Sequence, residues 1–125
     1  MENLKLDGTK STPEINFDLA SGVLRIKGES FPENAAKFYT PVISWIKEYL
    51  KNNTKEMVLE FEILYFNSST SKIFMTLLDF LENEVKNGKK IIVNWKCDKE
   101  NETAIEFGEE FKEDMDLLPF NIVFL

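Results

Sequence analysis

The apolar positions change their spacing several times along the chain, and each change marks an element. Ile15, Phe17 and Leu19 alternate with Asn16, Asp18 and Ala20, the two-residue repeat of a strand with one buried side. Ala20-Ser21-Gly22 is turn material. Val23, Leu24 and Ile26 then begin a second strand that ends at Gly28 and pairs with the first as a hairpin. Phe31-Pro32-Glu33-Asn34 punctuates the chain before Phe38, Val42, Trp45, Ile46 and Tyr49 recur at helical spacing. Pro41 lies inside that stretch. The helix is therefore expected either to kink there or to begin its regular part near Thr40, because proline removes a backbone donor and crowds the preceding turn.

Met57 to Phe66 (MVLEFEILYF) is an apolar run of strand length, rich in β-branched and aromatic residues, and reads as a central strand. Five small polar residues, Asn67 to Ser71, follow it. Ile73, Phe74, Leu77, Leu78, Leu81 and Val85 form a second helical stripe, stopped at Asn87-Gly88. Ile91, Ile92, Val93 and Trp95 make another strand. Ala104, Phe107, Phe111 and Met115 space a third helix, and after Pro119 the run Asn121 to Leu125 (NIVFL) is a final strand.

The resulting order is ββαβαβαβ. Strands separated by helices pair in parallel, so the pattern predicts an α/β fold: a small mixed sheet of about five strands carrying about three helices. No repeat or Pro/Gly/Ser linker divides the chain, which reads as a single domain over 1–125. Residues 1–13, polar and containing Gly8, Thr9, Ser11, Thr12 and Pro13, read as an N-terminal arm laid over it.

Composition narrows the function classes. The chain has 125 residues, 22 acidic against 15 basic, a net charge of −7, 43% apolar residues and 11 Phe. That is enough apolar material for one real core, and it excludes disorder as a class. There is no His, and Cys97 is the one cysteine, which removes Ser-His-Asp and Cys-His couples, a Cys/His zinc site and any disulfide framework. An acidic chain without a basic stripe has no groups to neutralise phosphates, so no nucleic-acid partner is expected. The start MENLKLDGTK lacks a basic segment followed by an apolar one, and the uncharged stretch Phe38 to Ile46 falls far short of the ~20 residues of a spanning helix. The expectation is a cytoplasmic protein without a membrane partner, in keeping with a lone thiol.

The stretch richest in chemistry is Leu64-Tyr65-Phe66-Asn67-Ser68-Ser69-Thr70-Ser71-Lys72, which puts several hydroxyls where a buried strand hands over to a helix. The free N–H groups and positive dipole end of a helix N-terminus stabilise an anion, including a phosphoryl group attached to a hydroxyl there. Phosphorylation would add about −1.5 to −2 charge at that point. Simple N-capping explains the same residues, because Asn, Ser and Thr are the preferred caps. Other patterns have bland explanations. Glu102, Glu106 and Glu110 at i, i+4, i+8 fit a solvated helix face better than a cation site. Glu60 and Glu62 share one side of a strand and could be read as paired carboxylates or as its polar face. Lys96 and Lys99 near Cys97 would depress its pKa, although a lone cysteine without a base is usually structural. Trp45, Tyr65 and Trp95 read as core.

The element order, with hydroxyls opening the second helix after a central strand, resembles STAS-like domains of the anti-sigma-factor-antagonist kind. More closely, the chain resembles the SiaC family of bacterial regulatory phosphoproteins. The blocks that carry this are Gly8-Thr9-Lys10-Ser11-Thr12-Pro13, Gly28-Glu29-Ser30-Phe31-Pro32-Glu33-Asn34, Leu64-Tyr65-Phe66-Asn67-Ser68-Ser69, Asp98-Lys99-Glu100-Asn101-Glu102 and Glu109-Glu110-Phe111-Lys112-Glu113-Asp114, in order over nearly the full chain. The resemblance implies a non-enzymatic switch without a cofactor. A hydroxyl after the loop Asn is phosphorylated by a Ser/Thr protein kinase and restored by a PP2C-type phosphatase, and the unmodified form binds and activates an effector such as a diguanylate cyclase. That hydroxyl maps onto Ser68, where a member of the family carries Thr, with Ser69 as the fallback site and Thr70 and Ser71 as further hydroxyls of the same loop. Asn67, Ser69, Thr70, Lys72 and the arm residues Thr9, Ser11 and Thr12 are then expected at the partner surface. A reading from a different class is a small anion- or nucleotide-binding domain using the same helix N-terminus without covalent change, although no Gly-rich cradle such as GxxxxGK[ST] is present. An enzyme built on Glu60 or Glu62 would lack a nucleophile and a metal set.

Overall fold

A computed structural model describes residues 1–125. Six strands form one sheet in the order β1-β2-β3-β4-β5-β6: β1 (Leu4–Leu6), β2 (Glu14–Asp18), β3 (Val23–Ser30), β4 (Met57–Phe66), β5 (Ile91–Cys97) and β6 (Phe120–Phe124). The first three run antiparallel to one another, and β3 to β6 are parallel. Each parallel step is bridged by a helix: α1 (Ala35–Asn52), α2 (Ser68–Lys86) and α3 (Glu102–Glu113). The sheet thus has one strand more than the periodicity predicts. The extra one is β1, inside the segment read as an arm laid over the domain: Leu4 and Leu6 sit opposite Phe17 and Ile15. Three residues are too short to announce themselves by alternation, and only the waiting edge of β2 makes them a strand.

The alternation of each strand sorts the sheet into two faces. Ile15, Phe17, Leu24, Ile26, Leu59, Phe61, Val93 and Trp95 are buried beneath the helices, in one cluster with Tyr39, Ile46, Phe74, Leu78 and Phe111. The opposite face carries no helix and shows a polar row across all six strands, Lys5-Asn16-Arg25-Glu60-Asn94-Asn121. Three helices on one face with sequential strand order bring every helix N-terminus to the same end of the sheet, beyond the carboxyl ends of the parallel strands. Each is capped by an asparagine side chain: Asn34 accepts from Lys37 N–H, Asn67 from Thr70 N–H and Asn101 from Ala104 N–H, at 3.0, 3.0 and 3.1 Å.

Helix α1 is continuous from Ala35 through Pro41, so its regular part does not begin near Thr40, one of the two expected outcomes. The proline ring lies on the solvent side, and the helix tolerates the lost bond because Tyr39, Val42 and Ile46 anchor the other side in the core. Helix α3 lies close on β5: a Cβ at Gly108 would stand 2.6 Å from the Trp95 ring, whose Nε1–H donates to Ala104 O at 2.9 Å. The connection from α3 to β6 is fastened from α2, where the Glu82 carboxylate accepts from the N–H groups of Asp116, Leu117 and Leu118 at 2.9–3.1 Å. No helix is long and apolar enough to cross a membrane.

Candidate functional site

The site begins with an irregularity in β4. Residues Met57, Leu59, Phe61 and Ile63 point to the core, and Glu60 and Glu62 to the bare face. The pairing with β3 then slips, since Gly28 faces Ile63 but Glu29 faces Tyr65, leaving Leu64 as a surplus residue. Such a bulge rotates the end of a strand and re-aims its side chains. Gly28 accommodates it at φ +126°, a backbone conformation that side-chain-bearing residues rarely adopt. Phe66, which strict alternation would send to the bare face, turns into the core. Leu64 and Tyr65 turn outward, at 62% and 53% exposure. The expectation that Tyr65 is a core residue is therefore corrected, and the bulge is the cause.

Asn67 follows as the cap, and α2 starts at Ser68. Helical geometry sorts the hydroxyls of the first turn. Thr70 stands four residues before Phe74, so it continues the stripe Phe74, Leu77, Leu78, Leu81 and is fully buried, at 0% exposure. Ser68, Ser69 and Lys72 lie off the stripe and are exposed, while Asn67 and Ser71 are half-buried. Thr70 thus has no surface to offer a partner or a kinase. The spacing to Phe74 was the signal that separates it from its neighbours.

Thr70 instead locks the turn in place. Its hydroxyl donates to Ser30 O at 3.1 Å and lies 2.9 Å from Ser30 Oγ, which is 2.7 Å from Tyr39 OH. One proton assignment satisfies all three: Thr70 to the Ser30 carbonyl, Ser30 to Thr70 Oγ1, and Tyr39 to Ser30 Oγ. Burial pushes the Tyr39 phenol well above its ordinary pKa, an effect only partly opposed by its bond to Ser30, so it stays protonated. Asn67 N–H donates to the same Ser30 carbonyl at 3.1 Å. The ends of β3 and β4 and the starts of α1 and α2 are thereby tied at one point. Of the four amides that open α2, Thr70 N–H is held by the Asn67 side chain and Ser71 N–H by Asn67 O. The amides of Ser68 and Ser69 are left without an acceptor in the chain, next to two exposed hydroxyls.

The surroundings are apolar on one side and hydroxyl-bearing on the other. The β4–β5 ladder stops at Phe61–Trp95, and beyond it β4 parts from β5. Between its end and the first turn of α3 lies a cleft of about 400 Å³ lined chiefly by Leu64, Tyr65, Phe66, Ala104 and Phe107. Asn101 bridges it by donating to Leu64 O at 3.3 Å. On the other side, Ser11 O accepts from Phe31 N–H at 2.8 Å, and the Phe31 ring packs edge-on to Tyr65. The loop containing Thr9, Ser11 and Thr12 therefore sits at the same end of the sheet. Thr9 Oγ1 is occupied within the loop by Thr12 Oγ1 at 2.6 Å and by the N–H groups of Ser11 and Thr12. Tyr39 is a contributor that reasoning from the sequence did not name, and Ser30, Leu64 and Asn101, which stand in the blocks that carry the resemblance, had no role of their own there.

The remaining candidates stay apart from this region. Glu60 and Glu62 are ion-paired on the bare face: Glu60 with Arg25 at 2.9 Å and Lys96 at 3.2 Å, Glu62 with Lys27 at 3.6 Å. Burial alone would raise the Glu60 carboxyl, but hydrogen bonds from Arg25 and Lys96, with their charges, hold it below the ordinary glutamate value. Cys97 is buried, and its thiol is pushed up by that burial and by the charge of Asp98, the reverse of the depression expected from nearby lysines. Glu102, Glu106 and Glu110 are exposed along α3, and no three acidic or cysteine side chains gather as metal ligands.

Comparison with known proteins agrees with this fold. The family model described as "SiaC family regulatory phosphoprotein" matches residues 6–125. An uncharacterised protein of Pseudomonas aeruginosa (strain UCBPP-PA14) is 37% identical over 122 residues, covering 98% of this chain and 96% of that one. The crystal structure of apo-SiaC from Pseudomonas aeruginosa superposes with a TM-score of 0.92 at 36% identity, over 98% of this chain and 99% of that one. The crystal structure of the diguanylate cyclase SiaD in complex with its activator SiaC, from the same organism, matches with the same TM-score, identity and coverage.

Proposed function

The chain belongs to the SiaC family of regulatory phosphoproteins, and from that premise we propose that it is a non-enzymatic protein-binding switch toggled at Ser68. The observation that carries this reading is the split first turn of α2. Ser68 presents an exposed hydroxyl beside amides without acceptors, while Thr70 two residues on is sealed into the Ser30–Tyr39 tie. A Ser/Thr kinase joins Ser68 Oγ to the γ-phosphorus of ATP, breaking the bond to the ADP oxygen and passing the hydroxyl proton to the kinase's base. A PP2C-type phosphatase returns the hydroxyl by adding water and releasing inorganic phosphate. The unmodified form binds the effector, for which a diguanylate cyclase is supported by the relative that is crystallised as activator of SiaD.

The phosphate acts through charge and hydration. It adds about −1.5 to −2 charge and three acceptor oxygens, which the free amides of the turn can hold without rebuilding the fold. A hydrated dianion next to the exposed Leu64 and Tyr65 makes that apolar patch costly to bury, so the effector is released. Asn67, Ser69 and Lys72 flank the site and belong to the contacted surface, together with the rim formed by Thr9, Ser11 and Thr12. The test is incubation with the cognate kinase and ATP, followed by peptide mass spectrometry and a pull-down of the cyclase. One phosphate at Ser68, absent in Ser68→Ala, with loss of cyclase binding on modification, is the expected result. A phosphate that still forms in Ser68→Ala at Ser69 moves the toggle by one residue, and one that forms elsewhere overturns the reading.

A further inference from the structure

Each helical lysine but one has a counter-charge close by in sequence or a ring beneath it. Lys51, Lys86 and Lys112 follow Glu48, Glu82 and Glu109 by three or four residues within the same helix. Lys37 has Glu33 four residues before it, and Lys47 lies over the Phe80 ring. Residues at that spacing are neighbours on a helix surface, and an anion that precedes the lysine is the favourable order. Lys72 breaks the pattern. The positions four and three before it hold Ser68 and Ser69, and those three and four after it hold Met75 and Thr76.

Nothing packed against this turn takes up the charge. Lys72 is exposed and makes no ion pair, and the first turn of α2 contains no acidic residue. Across from neighbouring Ile73, α1 presents Ala36, Thr40, Ile43, Ser44 and Lys47, none of them acidic. On the other side, the cleft toward α3 is lined by uncharged residues. The positive end of the α2 dipole and the open Ser68 and Ser69 amides lie one turn away. In a chain of net charge −7, the start of α2 is therefore a local excess of positive charge.

We propose that Lys72 is the built-in counter-ion of a phosphate on Ser68, an inference that rests on the reading of Ser68 as the toggle. Long side chains on a helix lean toward its N-terminus, so the Lys72 ammonium leans back over the turn that holds Ser68. Cβ atoms four residues apart stand about 5–6 Å from each other, a gap that a phosphoryl group and a lysine side chain close between them. The phosphate then has two sets of donors, the open amides at the helix start and the ammonium one turn on. Modification also changes the surface in two ways. It adds an anion, and it withdraws an exposed cation that the unmodified form offers to a partner. Ser69 stands at the three-residue spacing, so the same ammonium reaches either hydroxyl.

The test is the second ionisation of the phosphate, followed by phosphorus NMR on the full chain with phosphoserine placed at position 68 during synthesis by an expanded genetic code. That ionisation ordinarily lies near pH ~6. Removing the cation in Lys72→Gln should raise it by about 0.2–0.4 unit, and Lys72→Arg should leave it low. The gap between the two should close in about 1 M salt. Lys86→Gln removes the same charge from the far end of α2 and should leave the phosphate unmoved. A phosphate that titrates alike with and without Lys72, or that moves equally in Lys86→Gln, overturns the proposal. The phosphate is installed without a kinase, so a kinase that leaves Ser68 unmodified counts against the toggle and is read in that separate test.

Discussion

Two groups of backbone amides in this molecule are arranged to meet negative charge. At the α3–β6 connection, the N–H groups of Asp116, Leu117 and Leu118 converge on the Glu82 carboxylate. At the start of α2, the amides of Ser68 and Ser69 have no acceptor in the chain and stand beside exposed hydroxyls. The first receives an anion, and the second leaves its amides open to one. The first is served by a side chain that carries its charge permanently, which makes it a fastener. The second is bordered by groups that gain charge only through covalent chemistry, and its stability is supplied from behind by Thr70, Ser30 and Tyr39. Separating the support from the accessible hydroxyl is what would let charge come and go without unfolding the turn.

The strongest way to break this comparison is to remove the fastener. Glu82→Ala loses charge-assisted bonds to three amides and should destabilise the fold by about 2–4 kcal/mol in urea titration. A loss below about 1 kcal/mol would mean the loop holds itself. Next in size, Thr70→Val strands buried partners at Ser30 and should cost about 1–2 kcal/mol, while Ser68→Ala in the same turn stays within about 0.5 kcal/mol. Equal effects at the two positions would erase the division between support and toggle.

Glu60 provides a second permanent charge against which to calibrate the first. Its carboxyl is held below the ordinary value in the folded protein, so its contribution is present above the unfolded carboxylate pKa of about 4.3 and is lost as pH falls through the folded value. Glu60→Gln should therefore cost about 0.5–1 kcal/mol at pH 7 and progressively less as pH falls through the folded value, measured as the gap between two denaturation series. Smallest of all, Ser68→Asp should stabilise the protein by about 0.3–1 kcal/mol at low salt by placing a fixed charge at the start of α2, and the gain should fade as salt is added.

Much of the frame was legible because it rests on local periodicity. The stripes of α2 and α3, the alternation of β2 and the apolar run of β4 each declare themselves within their own segment, and Asn67-Ser68 falls at the boundary that the composition change predicts. What escaped depends on partners distant in sequence. β1 is a strand only because β2 offers an edge, and the surplus residue at Leu64 exists only against Gly28 on the neighbouring strand. Thr70 is the instructive case, since its distance from Phe74 was in plain view. It was grouped with its hydroxyl neighbours by residue type when the turn of the helix sorts them by direction.

The slip beside Leu64 also sets the phase of everything downstream of it. Without the slip, strict alternation over the same residues would send Phe66 to the bare face, drive Tyr65 beneath the helices and turn the Asn67 cap away from α2. Exchanging one side chain for another leaves the phase intact. This junction therefore tolerates a change of side chain at its exposed tip but depends on the shift of register between Gly28 and Glu29.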